Sequence, residues 1–156
     1  AEKDKYPKDF KDLVEHYAYE YGVPEYVVYS VIKNESNFDS GYVGDDECIG
    51  LMQLSKETFI KLTTSRMENL DPAMLYDPET NINYGTYYLS VLYVKYGSWR
   101  EVYCAYLKGP DTVDEWLSDS DFCDNNGKLI KVPDKEADKY SKQLLKINEK
   151  YKSLYK

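Results

Sequence analysis

The segment that most constrains this chain is an apolar helical stripe that ends in a carboxylate. Val28, Val31 and Ile32 have the spacing of a buried helix face, and Glu35 falls on the same face one turn later. An ionised carboxylate there must find partners or keep its proton, and a carboxylic acid still protonated near neutral pH is a general acid. The helix dipole, which disfavours negative charge at the C-terminal end, adds to this effect. Two alternatives stay open: Glu35 is functional, or it turns to solvent as helical glutamates usually do.

Helical periodicity continues along the chain, interrupted by Gly and Pro at the expected ends. The spacing predicts helices that end near 21 and run over 24–36, 50–65, 79–96, 99–107, 113–117 and from 134 to the C-terminal region. Strand signals are limited to a short pair about 42–43. The sequence therefore predicts a mainly α fold with at most a very short β element, organised as one domain over residues 1–156.

Three local signals refine this prediction. Ser98 and Glu101 have the Ser-x-x-Glu spacing of a capping box at a helix start. Asp71-Pro72 and Asp77-Pro78 each mark another start, because Asp is a good N-cap and Pro suits the first turn. Gly85 lies inside a predicted helix, where glycine is unfavourable, and so indicates a close helix crossing.

Charge and composition limit the classes of partner. The 156 residues include 20 basic and 28 acidic side chains, for a formal net charge of −8. We therefore expect no nucleic acid partner, since nonspecific binding to nucleic acid depends on basic patches. No apolar run approaches the length of a membrane-spanning helix, and no signal segment is visible in the chain. We expect a monomer.

The metal-ligating residue types are few. Cys48, Cys104 and Cys123 lack the spacing of a metal site, and His16 is the only histidine. We predict no metal and no cofactor, and we expect His16 to be an ordinary residue of the first long helix. With three cysteines, at least one thiol is unpaired unless it bridges to another molecule. A disulfide among them stays open.

Five blocks of sequence, in order and over nearly the whole chain, resemble the soluble lytic transglycosylases, which share the goose-type lysozyme-like fold and cleave peptidoglycan. The blocks are Glu-Ser-Asn-Phe at 35–38, Gly-Leu-Met-Gln-Leu at 50–54, Tyr-Asp-Pro-Glu-Thr-Asn-Ile at 76–82 with Gly85, Ala-Tyr-Leu-Lys-Gly-Pro at 105–110, and Val-Pro-Asp-Lys-Glu at 132–136 with Tyr140. The resemblance implies that fold and that activity.

The resemblance implies that Glu35 is the single acid/base. It would cleave the β-1,4 bond between N-acetylmuramic acid and N-acetylglucosamine, with help from the substrate's N-acetyl group, and form a 1,6-anhydromuramoyl product. Ser36 is expected to fix the helix end. A wall substrate further implies a bacterial protein exported to the cell wall or the extracellular space.

The resemblance also implies substrate-binding residues. Gln53 and Tyr106 should hydrogen-bond the sugars, Glu136 should hold the groove or contact substrate, and Gly50 and Met52 should belong to the binding surface. Each of the first three has a structural alternative. Gln53 could cap local backbone, Tyr106 could only pack, and Glu136 could stabilise its own helix.

The chain departs from the family pattern at several positions on the expected groove. Leu107 and Lys108 replace Asn and Ala, Gly44 stands where Ser is usual, and Ser55 replaces Met. Two further functions therefore stay open. One is a hydrolytic muramidase that uses a water positioned by one of the acidic residues at 45–47, and the other is a glycan-binding protein that has lost turnover.

Overall fold

A computed structural model describes all 156 residues and is mainly helical, as predicted. It contains eight α-helices and two 3-10 helices. The α-helices are α1 (Glu2–Lys5), α2 (Lys11–Tyr21), α3 (Glu25–Ser36), α4 (Lys56–Ser65), α5 (Pro78–Tyr96), α6 (Trp99–Lys108), α7 (Pro110–Leu117) and α8 (Lys135–Leu154); the 3-10 helices are Asp45–Glu47 and Pro72–Tyr76. The β structure consists of isolated bridges that join Val43 to Ile49, Ile49 to Leu54 and Cys123 to Leu129.

The chain folds into two compact units. The first comprises 1–88 together with 150–156. In it, α2 packs against α3, and α4 contacts the Pro72–Tyr76 helix. Its core is aliphatic and aromatic, with Val14, Val27, Val28, Val31, Ile32, Leu51, Met52, Phe59, Leu75 and Ile82 all fully buried.

The second unit comprises 89–149. Here α6 packs against α7, which Pro110 begins at its first position. Asp134 caps α8, as predicted, because its Oδ1 accepts from the backbone N–H of Glu136 at 2.8 Å. The core includes Leu89, Val102, Tyr103, Cys104, Ala105, Val113, Ala137 and Leu144. That residues 1–156 form one domain stays a prediction.

The helix predicted from Gly50 is wrong at its start. Gly50 and Gln53 have φ values of +80° and +54°, which no right-handed helix accommodates. The helix begins only at Lys56, with Ser55 as its N-cap accepting from the Thr58 N–H at 3.0 Å. Residues 50–54 form a turn whose leucines are buried without being helical, and the apolar spacing alone could not reveal this.

The predicted capping box at Ser98 is also wrong. The Ser98 side chain makes no capping bond, although the residue does precede α6. Glu101 turns inward instead, is 2% exposed, and accepts from the backbone N–H of Leu129 at 3.1 Å. The close approach predicted at Gly85 is present, but the neighbour is the Met52 side chain rather than another helix.

The remaining expectations concern cysteine, histidine and the membrane. All three cysteines are free thiols, so no disulfide forms among them. His16 is exposed on α2 beside Glu20. No helix combines the length and the apolarity needed to cross a membrane, and no group of three His, Cys, Asp or Glu side chains is placed to hold a metal ion.

Candidate active site

Glu35 lies in the last turn of α3 and is half-buried. The three aliphatic residues that precede it on the stripe, Val28, Val31 and Ile32, are fully buried, as the spacing predicted. The helix ends one residue later at Ser36, and Asn37 follows with a φ of +49°. The partial negative charge at a helix C-terminus disfavours an ionised carboxylate at this position.

Ser36 joins the end of α3 to the turn at 50–54. Its hydroxyl lies 2.8 Å from the carbonyl oxygen of Leu51 and 3.1 Å from that of Ile32 in the preceding helical turn. Since Ser36 is buried and adjoins Glu35, these bonds set the distance between the carboxylate and the turn. This agrees with its expected role at the helix end.

Asn81 holds the same turn from α5. Its Oδ1 accepts from the backbone N–H of Met52 at 2.7 Å, and its Nδ2 donates to the carbonyl oxygens of Ile49 and Leu75, both at 2.9 Å. The side chain is fully buried. The sequence places Asn81 in one of the five blocks but indicates no role for it. The one local signal for a buried role is that the Asn81 side-chain amide adjoins Ile82, which the helical spacing directs inward.

Gly50 and Met52 support this turn from inside. A Cβ on Gly50 would lie 2.3 Å from Nδ2 of Asn81, and one on Gly85 would lie 2.4 Å from Sδ of Met52. Gly50 is buried and Met52 is 0% exposed. That both residues belong to the binding surface stays a prediction.

Gln53 lies at the end of the turn and is half-buried. Its Nε2 donates to the carbonyl oxygens of Tyr42 and Gly50, at 3.0 and 2.9 Å. The side chain therefore makes the local backbone bonds that the structural alternative describes. A Cβ on Gly44 would lie 2.3 Å from Oε1 of Gln53, so the glycine that replaces the usual Ser makes room for this carboxamide. Sugar binding by Gln53 stays a prediction.

The backbone around Glu35 is unusual. Of the seven non-glycine residues with positive φ, five fall between 37 and 53: Asn37, Phe38, Asp46, Glu47 and Gln53. Such conformations persist only where the surroundings enforce them, and they concentrate at functional sites. The cluster thus agrees with a site built around the end of α3.

The pKa of the Cys48 thiol depends on the carboxylates around it, including that of Glu35. Burial raises the pKa of its thiol, and the carboxylates of Glu35, Asp46 and Asp45 raise it further. Glu35 therefore lies within electrostatic reach of Cys48, whereas Asp45 and Asp46 are themselves exposed. Nothing in the sequence indicated this position for Cys48.

The other predicted site residues, Tyr106 and Glu136, belong to the second unit. Tyr106 is half-buried on α6. Glu136 is exposed in the first turn of α8, and its Oε1 lies 2.5 Å from Nζ of Lys108. Lys108 also pairs with Asp134 at 2.9 Å. The hydrogen bonds to Glu136 and Asp134 raise the pKa of Lys108, and the bond to Lys108 lowers the pKa of Asp134. The sequence marks Lys108 as a departure from the family pattern but does not reveal these partners.

Residues 12–127 match the model of the Transglycosylase SLT domain family. The chain belongs to this family. It is 31% identical over 123 residues to the soluble lytic murein transglycosylase of Escherichia coli K12, covering 76% of this chain and 19% of that protein. It is 32% identical over 92 residues to the membrane-bound lytic murein transglycosylase C of Edwardsiella ictaluri, covering 57% of this chain and 26% of that protein. The chain thus spans about a fifth to a quarter of the length of these relatives.

The three-dimensional comparison agrees with the family assignment. The crystal structure of the 70 kDa soluble lytic transglycosylase from Escherichia coli superposes with a TM-score of 0.87 and 27% identity, over 98% of this chain and 25% of that one. The predicted lytic transglycosylase fold is confirmed, and so is the resemblance that the five sequence blocks carried.

Proposed function

We propose that this chain is the catalytic part of a peptidoglycan lytic transglycosylase with Glu35 as its single acid/base. The observation that carries the proposal is the position of Glu35. It ends a fully apolar helix stripe, and a turn that Ser36 and Asn81 tie to buried backbone groups lies next to it. Membership of the SLT family supports assigning chemistry to this residue.

The proposed reaction uses one carboxyl group twice. Protonated Glu35 gives its proton to the glycosidic oxygen as the C1–O4 bond breaks, while the N-acetyl oxygen of the muramoyl residue stabilises the anomeric carbon. The Glu35 carboxylate then takes the proton of the muramoyl 6-hydroxyl as O6 bonds to C1. The product is a 1,6-anhydro ring, and no water is consumed.

The acidic residues of the neighbouring 3-10 helix have a different environment. Asp45, Asp46 and Glu47 are exposed, and the last two hold left-handed backbone conformations. We assign them no proton transfer, because they lie outside the buried apolar stripe that ends in Glu35. A hydrolytic muramidase would instead need one of them to position a water molecule.

The remaining assignments are part of the same proposal. Tyr106 and Gln53 would hydrogen-bond the N-acetylated sugars, and Glu136 would contact substrate or hold the groove while paired with Lys108. The names of the relatives, murein transglycosylases both soluble and membrane-bound, support peptidoglycan as substrate and action at the bacterial wall after export.

The test is digestion of purified peptidoglycan with analysis of the products by mass. Wild type should release fragments ending in 1,6-anhydromuramic acid, one water lighter than reducing ends. Glu35→Gln should lower the rate by about 10²- to 10⁴-fold, the usual contribution of general acid–base catalysis, while glycan binding and the thermal unfolding temperature stay close to wild type. Glu57→Gln, an exposed pair partner of Lys61, is the matched control and should retain full activity.

Each alternative outcome has a clear meaning. A hydrolase would produce reducing ends in place of anhydro ends. It would stop producing them when one of the acidic residues at 45–47 is replaced. Binding without product release by the wild type would identify a glycan-binding protein. Near-normal turnover by Glu35→Gln would overturn the assignment of the acid.

A further inference from the structure

A cavity lies within the first unit, between the beginning of α3 and the end of α8. Its volume is about 360 Å³, which falls in the range of ligand-binding cavities, roughly 300–1,000 Å³. Tyr26 and Tyr29 line it from α3, and Tyr151 and Tyr155 from the C-terminal end. None of these residues belongs to the turn beside Glu35. Glu35 also lies six positions beyond Tyr29, about 9 Å along the helix.

The Tyr29 hydroxyl is a buried polar group with no hydrogen-bond partner in the protein. Tyr29 is 1% exposed. Burial, and after it the charge of Glu25, raises the pKa of this hydroxyl, so it stays protonated and can donate a hydrogen bond. The neighbouring tyrosines differ, because the Tyr151 hydroxyl donates to the carbonyl oxygen of Pro7 and that of Tyr155 to the carbonyl oxygen of Tyr6, both at 2.7 Å. Buried polar groups are rarely left unpaired, so Tyr29 calls for an explanation.

The aromatic rings form a continuous stack along this cavity. Tyr29 stacks on Tyr151 with centroids 5.5 Å apart, and Tyr151 stacks on Tyr155 at 5.9 Å. Lys8 places its ammonium 4.2 Å from the Tyr155 centroid and 5.5 Å from that of Tyr29. Lys8 pairs with no carboxylate. The cavity thus offers apolar ring faces, a hydroxyl donor and two cations, because Lys152 also lines it and lies 5.2 Å from the Tyr26 centroid.

We infer that this cavity is a second binding site, for a sugar that carries an anionic group. A flat tyrosine face suits the C–H face of a sugar ring, and the Tyr29 hydroxyl supplies a donor for one of its oxygens. The Lys8 ammonium is a compact charge suited to a carboxylate or a phosphate. The Glu25 carboxylate, which also lines the cavity, can accept from sugar hydroxyls and disfavours an anion on its own side. We place the anionic group toward Lys8, which lies over the rings of Tyr29 and Tyr155, rather than toward Lys152 over Tyr26.

The decisive experiment titrates the protein with matched sugars and follows assigned backbone amide signals by NMR. N-acetylmuramic acid and N-acetylglucosamine differ only in the lactyl group that carries the carboxylate. Glucose 6-phosphate and glucose form the corresponding pair for phosphate, which distinguishes the two sources of charge. The acidic member of at least one pair should bind about tenfold more tightly than its neutral partner, as one additional charge-assisted hydrogen bond implies. The affected signals should include Tyr29 and Tyr155.

Single substitutions separate the contribution of the Lys8 ammonium from that of the Tyr29 hydroxyl. Lys8→Gln should remove the preference for the acidic sugar. Tyr29→Phe should weaken binding about threefold without lowering the thermal unfolding temperature, since it deletes a hydroxyl that has no protein partner. Lys11→Gln and Tyr19→Phe, both exposed and outside the cavity, are the matched controls and should bind as wild type does. Glu35→Gln should also bind normally here, so loss of the proposed catalysis would leave this result intact.

Several results would overturn the inference. Equal affinity for acidic and neutral sugars would remove the role of Lys8. Equal effects of lactate or inorganic phosphate on the same signals would identify an anion site without a sugar. Shifts at residues 50–54 in place of Tyr29 and Tyr155 would locate binding at the turn beside Glu35 instead.

Discussion

The two regions that hold the predicted site residues are built in opposite ways. The turn at 50–54 is held by buried side chains that bond to backbone groups, above all Asn81 and Ser36. In the second unit, the cluster of Lys108, Asp134 and Glu136 consists of ion pairs between side chains that remain partly or largely exposed. Buried bonds to backbone fix geometry, whereas exposed ion pairs contribute little and can be rearranged.

The two regions also differ in how closely they match the sequence pattern of the family. The turn carries the Gly-Leu-Met-Gln block, whereas Lys108 replaces the alanine usual in its block. We interpret the turn as the rigid support of Glu35 and the Lys108 cluster as an adjustable surface. Since Glu136 is a proposed substrate contact, we predict that its pairing with Lys108 affects substrate preference.

The largest expected effect on stability comes from removing the hydrogen bonds that Asn81 makes to the turn at 50–54. Asn81→Leu keeps the branched shape but removes the acceptor of the Met52 N–H and the amide donor to the carbonyl oxygens of Ile49 and Leu75. We expect a loss of about 3–5 kcal/mol in the free energy of unfolding, measured by urea denaturation. Asn69→Leu, at an exposed position, is the control and should change stability little. A cost below that of one buried hydrogen bond would show that Asn81 does not hold the turn.

Breaking the Lys108 cluster should cost less stability than removing Asn81 from the turn. The cost should also depend on pH. Lys108→Met should lower stability by less than about 1 kcal/mol, because the ion pairs are solvent-screened. The raised pKa of Lys108 means that its contribution is complete below the ordinary value of 10.5 and lost as pH rises through the higher folded value. The lowered pKa of Asp134 means that its contribution is present above 3.8 and lost as pH falls through the lower folded value.

The stability difference between Lys108→Met and wild type should therefore be greatest at intermediate pH and vanish at both extremes. Thermal unfolding followed across that range measures it. Lys142→Met breaks a single exposed pair with Asp138 and should have a smaller effect. A difference that does not depend on pH would mean that lost packing, rather than charge, causes it.

The smallest effect concerns the charge of Glu35 itself. Because the Glu35 carboxylate raises the pKa of Cys48, Glu35→Gln should shift that pKa back toward its ordinary value of 9.0. Alkylation of Cys48 by iodoacetamide should then be faster at pH 8, because a larger fraction of the thiol is ionised. The measurement uses a Cys123→Ser background, and the exposed Asp39→Asn is the control. An unchanged rate would mean that the two side chains do not interact.

Much of the fold followed from sequence because its signals are local. Periodic apolar positions, Gly and Pro at helix ends, and Asp before Pro gave α3, α5 and α6, the end of α2 and the start of α8 nearly to the residue. The failures at Gly50 and Ser98 have one cause. Buried leucines in a turn mimic a helical stripe, and an inward-facing glutamate mimics a capping residue, so local pattern alone cannot tell which long-range partner a side chain finds.

By itself the sequence determined the mainly helical fold, the placement of Glu35 at the end of an apolar stripe, and the family resemblance. Only the tertiary structure decided that Asn81 and Ser36 hold the turn, that Met52 and Gly50 are buried, that Lys108 pairs with Glu136, and that Tyr29 has a buried hydroxyl without a protein partner. The physical reason is sequence separation. Helix propensity and periodicity act between near neighbours, whereas burial and hydrogen bonding join residues far apart in the chain, such as Met52 and Asn81, Lys108 and Glu136, and Tyr29 and Tyr151.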